Sequence, residues 1–198
     1  MSTAKAVRAA IRKLRRGRPF TGAHFLEHGT RGAVDRTLSR LAAEGEIRRL
    51  AQGVFVRPRT SRFVDAVMPD IREVVETIAR GNGETLQIHG AEAARRFRLT
   101  TQVPTAPVFH TSGSSRTIRV AGTAVRLIHT SNRRRLQFAG EPAGAAISAL
   151  WYLGKNNVTP EKVARIEAAL GPAGFEKLRS ADMPAWMAKA FAVAARES

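Results

Sequence analysis

The sequence contains no cysteine, few acidic residues and no long apolar run. Without cysteine, disulfide bonds and cysteine-ligated metal sites are excluded, and nothing indicates an oxidising compartment. The N-terminus lacks the apolar core of a signal peptide, and no segment approaches the length of a transmembrane helix. We therefore expect a cytoplasmic protein with no membrane partner. Its apolar content of 43% is ordinary for a globular protein, and 198 residues allow one or two domains.

The shortage of acidic residues leaves a formal net charge of +17, which is distributed unevenly. Residues 1–60 contain 14 lysines and arginines against 4 acidic residues, a net charge of +10. The net charge is +6 over residues 61–140 and +1 over residues 141–198. A polyanionic partner is the simplest explanation, and nucleic acid is the commonest polyanion that basic protein surfaces bind.

Recognisable catalytic motifs are also missing. The sequence has neither a glycine-rich phosphate loop nor a dinucleotide-binding fingerprint. His24 and His28 are four residues apart and could share a helical face, but only Glu27 lies nearby as a further metal ligand, so this pair is weak support for a metal site. We therefore expect no metal, no cofactor and no catalytic residues, and hence not an enzyme.

The segment from Phe20 to Pro58 predicts a winged helix-turn-helix. Its longer helix follows Thr30, which can cap the free amide groups, and ends before Gly45. One face of this helix is apolar at the expected three- and four-residue spacing and consists of Val34, Thr37, Leu38 and Leu41. In the preceding short helix we expect a buried side formed by Ala23, Phe25 and Leu26, and Gly29 is expected to supply the turn between the helices. A two-stranded wing is predicted from Ile47 to Val56, because Ile47 and Leu50 alternate with Arg48 and Arg49.

These elements predict which residues contact DNA. The polar face of the longer helix is expected to read base edges, because an arginine fork matches the acceptors of guanine; the candidates are Gly32, Arg36, Ser39 and Arg40. Contacts to the phosphate backbone are expected from Thr30, Arg31, Arg48, Arg49 and Gln52. The alternative is an ordinary small helical domain whose arginines are only solvated. A first helix carries further arginines, which either contact the DNA backbone or face solvent, and the sequence favours neither alternative. They are Arg8, Arg12, Arg15 and Arg16.

The remaining chain predicts a second, mixed domain. We place the boundary near residue 60 and assign residues 1–60 to the winged helix-turn-helix and residues 61–198 to an α/β domain. That domain is strand-rich over 85–138 and helical over 142–196, so the overall class is α+β. The basic cluster at 132–135 is either a second nucleic-acid contact or a solvated loop, and we favour the loop. The aromatic residues of the C-terminal helices are better explained as core than as a partner surface.

Three blocks of sequence resemble one known family. They are SRLAAEGEIRRLAQGVFVRP, LTTQVP followed by the strand-rich segment, and ALWYLGKNNVT with MPAWMAKAF. Together they resemble the AbiEi-like antitoxins of bacterial type IV toxin–antitoxin systems, over about residues 5–192. In that family the N-terminal winged helix-turn-helix binds inverted repeats in its own promoter. The resemblance therefore implies an autorepressor that neutralises a nucleotidyltransferase-like toxin without a stable complex, with a link to phage defence.

Two functional hypotheses remain. The leading one is a DNA-binding repressor of the antitoxin type that binds double-stranded operator DNA as a monomer or a dimer. The alternative is an RNA- or protein-binding module with a general polyanion-binding surface. A preference for hairpin RNA over duplex DNA would favour the alternative.

Overall fold

The structure is a computed structural model that describes residues 2–61 and 64–197. Residues 62, 63 and 198, which the sequence assigns to the second domain, lie outside the described residues. Helices and sheets alternate along the described chain, which confirms the α+β class and a C-terminal helix. Over the same residues, no helix has both the length and the apolar composition needed to cross a bilayer. The chain divides into a first unit, Met1–Gly83 with Ile118–Thr123, and a second unit, Glu84–Thr117 with Ala124–Ser198.

The first unit combines helices with short antiparallel strands. Its helices are α1 (Thr3–Lys13), α2 (Arg31–Ala43) and α3 (Ile71–Gly81), and a 3-10 segment spans Gly22–His28. Its strands are β1 (Pro19–Thr21), β2 (Arg48–Ala51), β3 (Val54–Val56), β4 (Arg59–Ser61) and β5 (Val64–Val67). The core lies among α1, α2 and the sheet, and includes Val7, Ile11, Phe20, Phe25, Val34, Leu38, Leu41, Ile47 and Phe55.

A third strand joins the predicted two-stranded hairpin. The sheet order is β1-β3-β2, and β1 pairs antiparallel with β3, so that Pro19 lies opposite Val56 and Thr21 opposite Val54. A strand of three residues is too short to show the alternation of apolar and polar residues that predicts a strand. It also begins with proline, which is tolerated at the first position of a strand but does not indicate one. The sequence therefore did not predict β1, although its Phe20 is buried.

The boundary between the units lies later than residue 60. Helix α3 contacts β1 and β3 and buries Val74 and Val75, and it therefore belongs to the first unit. The segment around residue 60, where the sequence places the boundary, contains β4 and β5, which pair antiparallel. An amphipathic helix must bury its apolar face, but its sequence does not show whether the helix packs on the domain before it or on the domain after it.

The second unit contains a four-stranded sheet and a group of helices. Its strands are β6 (Leu86–Ile88), β7 (Val108–Thr111), β8 (Arg116–Val120) and β9 (Thr123–His129), in the order β6-β7-β9-β8. Strands β7 and β9 are parallel. The turn between β8 and β9 has positive φ angles of 48° at Ala121 and 88° at Gly122, as a two-residue hairpin turn requires. The residues of this hairpin tip, Ile118–Thr123, belong to the first unit.

The helices of the second unit form its core. They are α4 (Gly90–Arg96), α5 (Pro142–Leu153), α6 (Pro160–Arg179) and α7 (Ala185–Glu197). Helix α6 is kinked where Gly171 adopts a φ of 66° before Pro172. The rings of Trp151 and Trp186 meet edge to face at 6.0 Å, and Met187 is fully buried. As predicted, Phe191 is buried in this core, and Trp151, Phe175 and Trp186 are partly buried against it, whereas Tyr152 is exposed.

Candidate nucleic-acid interface

Helix α2 has a buried apolar face and an exposed polar face. Its start is fixed by Thr30, whose Oγ1 accepts a hydrogen bond from the amide of Ala33 at 3.4 Å. Its end is followed by Gly45 at a φ of 76°, a conformation that glycine adopts readily. The predicted apolar residues Val34, Thr37, Leu38 and Leu41 are all buried. The predicted base-reading residues, by contrast, are all exposed: Gly32, Arg36, Ser39 and Arg40.

The hairpin of β2 and β3 presents the other predicted contacts. Arg48 and Arg49 are exposed at the start of β2, whereas Leu50 and Ala51 are buried. The turn that follows contains exposed Gln52 and Gly53, and Gly53 has a φ of 72°. Because side chains alternate along a strand only while the ladder is regular, the shift in register between Arg49 and Ala51 explains why two consecutive residues are exposed and the next two buried.

Arg49 connects this hairpin to helix α2. Its Nη2 donates a hydrogen bond to Oγ of Ser39 at 3.2 Å. Its guanidinium also lies 5.2 Å from the centroid of the Phe55 ring on β3. The sequence assigned Ser39 to base contacts and Arg49 to the backbone, and it did not predict that the two residues interact. The interaction fixes the position of the arginine relative to the exposed face of α2.

Several interface arginines are paired with carboxylates of the same unit. Arg31 Nε lies 3.0 Å from Asp35, and Arg40 Nε lies 3.7 Å from Glu44, both at the i, i+4 spacing. Such exposed pairs contribute only about 0–1 kcal/mol each, so phosphate oxygens can replace the carboxylates at little cost. Among the described residues, Arg36, Arg48 and Arg49 have no carboxylate partner. Of these three arginines of the candidate interface, Arg49 is the one that contacts Ser39 and the Phe55 ring.

Helix α1 is tied to the rest of the unit by arginines. Arg8 contacts both Glu44 and Glu46, and its distance to Glu46 is 3.1 Å. Arg57, after β3, donates through Nη1 to the carbonyl of Arg12 at 2.6 Å and to that of Leu14 at 3.3 Å. The last carbonyl groups of a helix have no partner within the helix, and the guanidinium of Arg57 supplies donors to two of them at the end of α1. The sequence missed this role of Arg57, because no local pattern connects residue 57 to α1.

The segment before α2 differs from the prediction in two respects. It is a 3-10 helix in which Phe25 is buried, but Ala23 and Leu26 are exposed, so the predicted buried side was wrong for those two residues. Gly29 adopts an extended backbone rather than a turn conformation. A Cβ at Gly29 would lie 2.6 Å from Cγ2 and Oγ1 of Thr3, so the glycine is needed for close approach to α1.

The two histidines of this segment interact with their immediate neighbours. His28 Nε2 lies 3.4 Å from Glu27, and His24 Nδ1 lies 3.3 Å from the carbonyl oxygen of Thr21. Within residues 2–61 and 64–197, no three histidine, aspartate or glutamate side chains cluster as metal ligands would.

Fold and site together define an α+β protein whose first unit exposes an arginine-bearing helix beside an antiparallel hairpin. Residues 6–178 match the family of unknown function DUF6088, and the chain belongs to this family. The match extends from α1 into α6 and thus includes both units. No curated protein and no solved structure matches the chain.

Proposed function

We propose that the first unit is a winged helix-turn-helix that binds duplex DNA, with α2 as the recognition helix and the β2–β3 hairpin as the wing. The observation that carries this proposal is the exposed face of α2, on which Arg36 has no carboxylate partner in the described chain. A helix enters the major groove through such a face, and an arginine there can donate two hydrogen bonds to guanine.

The dimensions and the chemistry of α2 support this arrangement. Its 13 residues extend over about 20 Å, which is ample for a helix lying in the major groove. A Cβ at Gly32 would have no neighbour within 4 Å, so this position leaves room for close approach of a base or a sugar. Arg31 and Arg40 can exchange their exposed carboxylate partners for phosphates. Arg48 and Arg49 on the wing, with Gln52 at its tip, then contact the adjacent backbone.

The regulatory part of the proposal is that the protein represses its own operon as an antitoxin. Its support is the resemblance of three sequence blocks to AbiEi-like antitoxins, together with the basic charge of residues 1–60. On this proposal the operator is an inverted repeat upstream of the gene. The functional partner is a nucleotidyltransferase-like toxin encoded next to it, which the protein neutralises without forming a stable complex.

Fluorescence anisotropy at physiological salt tests the DNA-binding proposal directly. The full chain is titrated with duplex from upstream of its own gene, with scrambled duplex of the same composition, and with hairpin RNA. We expect a preference of about a thousandfold or more for the upstream duplex, as specific repressors show. Equal affinity for all three would reduce the surface to a general polyanion site, and tighter binding of the RNA would establish the alternative function.

A growth assay tests the antitoxin proposal separately. The neighbouring gene is induced alone and together with this protein, and growth is expected to stop in the first case and to recover in the second. A variant that carries Arg36→Ala should still restore growth, because neutralisation is proposed to be independent of operator binding. If the recovery of growth required Arg36, the protein would instead protect the cell by repressing transcription.

A further inference from the structure

The second unit contains a small polar cavity that the proposed DNA interface does not use. Its volume is about 80 Å³. His89 follows β6 and His110 lies on β7, while Arg135 comes from the 3-10 segment Arg133–Leu136 and Ser148 and Tyr152 come from α5. Because β6 and β7 pair with Ile88 opposite Phe109, the two histidine rings come to within 5.1 Å between centroids.

Close packing of α4 on α5 shapes this cavity. A Cβ at Gly90 would lie 2.4 Å from the carbonyl oxygen of Ser148 and 2.4 Å from Cβ of Tyr152. Only glycine permits this approach, which brings His89, the residue before it, beside α5. The amide of Ala91 donates to Nδ1 of His89 at 3.3 Å, so the proton of the neutral ring lies on Nε2 and is available as a donor.

Two buried polar atoms of the cavity have no hydrogen-bond partner among the described residues. They are Oγ of Ser148 and Nδ1 of His110, and Ser148 is only 5% exposed. A buried serine in a helix commonly donates to the carbonyl four residues earlier, which Ser148 does not do. Buried groups of this kind nearly always have a partner in folded proteins, so an unpartnered pair around one cavity indicates a site for water or for a polar ligand.

The charge of the cavity selects an anion. The guanidinium of Arg135 lies 4.6 Å from the centroid of the Trp151 ring and has no carboxylate partner in the described chain. None of the residues that line the cavity is acidic. A metal cation would be repelled by Arg135, whereas an anion would pair with it and accept hydrogen bonds from the serine and a histidine.

The histidines respond to the same positive charge. Burial lowers the pKa of His89, with smaller contributions from Arg135 and Arg126. Burial, followed by the proximity of His89 and Arg135, lowers the pKa of His110 to about 4, and the nearby backbone of Ile128 acts in the opposite direction with a smaller effect. Both rings are therefore neutral at physiological pH. An anion beside them would favour the protonated rings and raise both pKa values.

We propose that this cavity binds a phosphate group, held by the Arg135 guanidinium, the Ser148 hydroxyl and the two imidazoles. A cavity volume of about 80 Å³ is several times the roughly 10–15 Å³ that one water molecule needs by the same measure, so the cavity has room for a group larger than water, such as a phosphate. Tyr152 also lines the cavity and is 42% exposed, and its hydroxyl donates a hydrogen bond to Oε1 of Gln102 at 3.2 Å. The ligand is free phosphate, a small phosphomonoester or the phosphorylated end of a nucleic acid.

NMR of the imidazole resonances of the full chain tests the proposal. The probes are inorganic phosphate, adenosine monophosphate, and one short oligonucleotide with either a 5′-phosphate or a 5′-hydroxyl. We expect the signals of His89 and His110 to shift with saturation at about 1 mM or below. The tightest of the phosphate-bearing probes identifies the source. Equal binding of the two oligonucleotides would exclude a nucleic-acid end as the source. The absence of a shift with inorganic phosphate and with adenosine monophosphate, together with equal binding of the two oligonucleotides, would overturn the proposal.

Two variants and a pH series make the test specific. Ser148→Ala and Arg135→Gln should each weaken phosphate binding about tenfold or more, since each removes a hydrogen bond to a charged ligand. The control Arg165→Gln removes a helical arginine outside the cavity and should leave the affinity unchanged. If Arg135→Gln fails to fold, Ser148→Ala decides alone, because it removes a hydroxyl that has no partner. Sulfate, whose charge is constant, should bind more tightly as the pH falls through the raised pKa values of the histidines.

Discussion

Arg36 combines three properties that no other residue of α2 combines. It lies on the exposed face, it carries a full charge, and it has no carboxylate partner among the described residues. Replacing it by alanine should weaken binding to upstream DNA by about 1–3 kcal/mol, because a bidentate contact to guanine is lost. Binding to scrambled duplex should change much less. Anisotropy titrations of both duplexes measure the two effects.

The matched control for this residue is Arg179→Ala. It also removes an exposed helical arginine, from α6 of the second unit, and changes the net charge by the same amount. We expect no loss of discrimination from it. If Arg36→Ala weakened binding to both duplexes equally, Arg36 would contribute only its charge and would not read bases.

Arg49 should behave differently, because it is bound both to Ser39 and to the face of Phe55. Arg49→Ala should reduce affinity for every sequence and lower the slope of log K against log salt by about 1, as expected for one phosphate contact. Ser39→Ala separates the two roles of the arginine. It removes the hydrogen bond that positions Arg49 but retains the charge, so the salt slope should stay unchanged. A slope that Arg49→Ala did not alter would exclude a phosphate contact.

At the scale of elements, two glycines near the start of α2 differ in the space that a side chain would have: Gly29 is crowded and Gly32 is open. Gly29 faces Thr3 of α1, where a Cβ would come within 2.6 Å of two side-chain atoms. Gly29→Ala should therefore lower the free energy of unfolding by about 1–3 kcal/mol, as overpacking does. The double variant with Thr3→Ala should recover most of that loss. Urea unfolding of the four proteins in this cycle measures the coupling, and a cost that persisted with alanine at position 3 would show that α1 is not the source of the strain.

Gly32 is the opposite case, because nothing lies within 4 Å of the position of its Cβ. Gly32→Ala should raise the free energy of unfolding by up to about 1 kcal/mol, since alanine is the better helix former. The same methyl group should weaken binding to upstream DNA if α2 approaches the bases at this point. A more stable protein with unchanged affinity would remove Gly32 from the interface.

These elements also indicate how far sequence alone can predict the structure. The 3.6-residue periodicity predicted α2 with its buried residues, because the pattern and both helix ends lie within one continuous segment. Strand β1 and the parallel pairing of β7 with β9 were not predicted, since both depend on backbone hydrogen bonds between distant segments. The exposure of the candidate residues was predictable from the polar face of α2, whereas the hydrogen bond between Ser39 and Arg49 required the register of β2.

At the scale of the whole molecule, the position of α3 was not predictable from composition. The chain has a basic, polar segment near residue 60 that resembles a linker, yet α3 packs on β1 and β3 of the first unit. The cavity between His89 and His110 was equally hidden, because its residues come from β6, β7, a 3-10 segment and α5. Family membership covers both units but carries no assigned function, so the functions of the two units need separate experiments.

The distribution of charge over the two units leads to the last prediction. From the sequence, the first unit has 18 basic and 8 acidic residues and the second has 15 and 8, so both units are positive, with net charges of +10 and +7. If DNA binds to the wing, Arg48→Ala with Arg49→Ala should reduce the salt slope by roughly 2, at about 0.9 per phosphate contact.

The corresponding double variant of the second unit is Arg133→Ala with Arg179→Ala. It removes the same charge from two exposed positions, one of them in the basic cluster that the sequence left open as a second nucleic-acid contact. We expect its salt slope on duplex DNA to equal that of the unmodified protein, because counterions are released only where arginines meet phosphates. Equal reductions by both double variants would mean that the whole basic surface attracts DNA without a defined interface. A reduction confined to hairpin RNA would assign Arg133 to a separate RNA-binding surface.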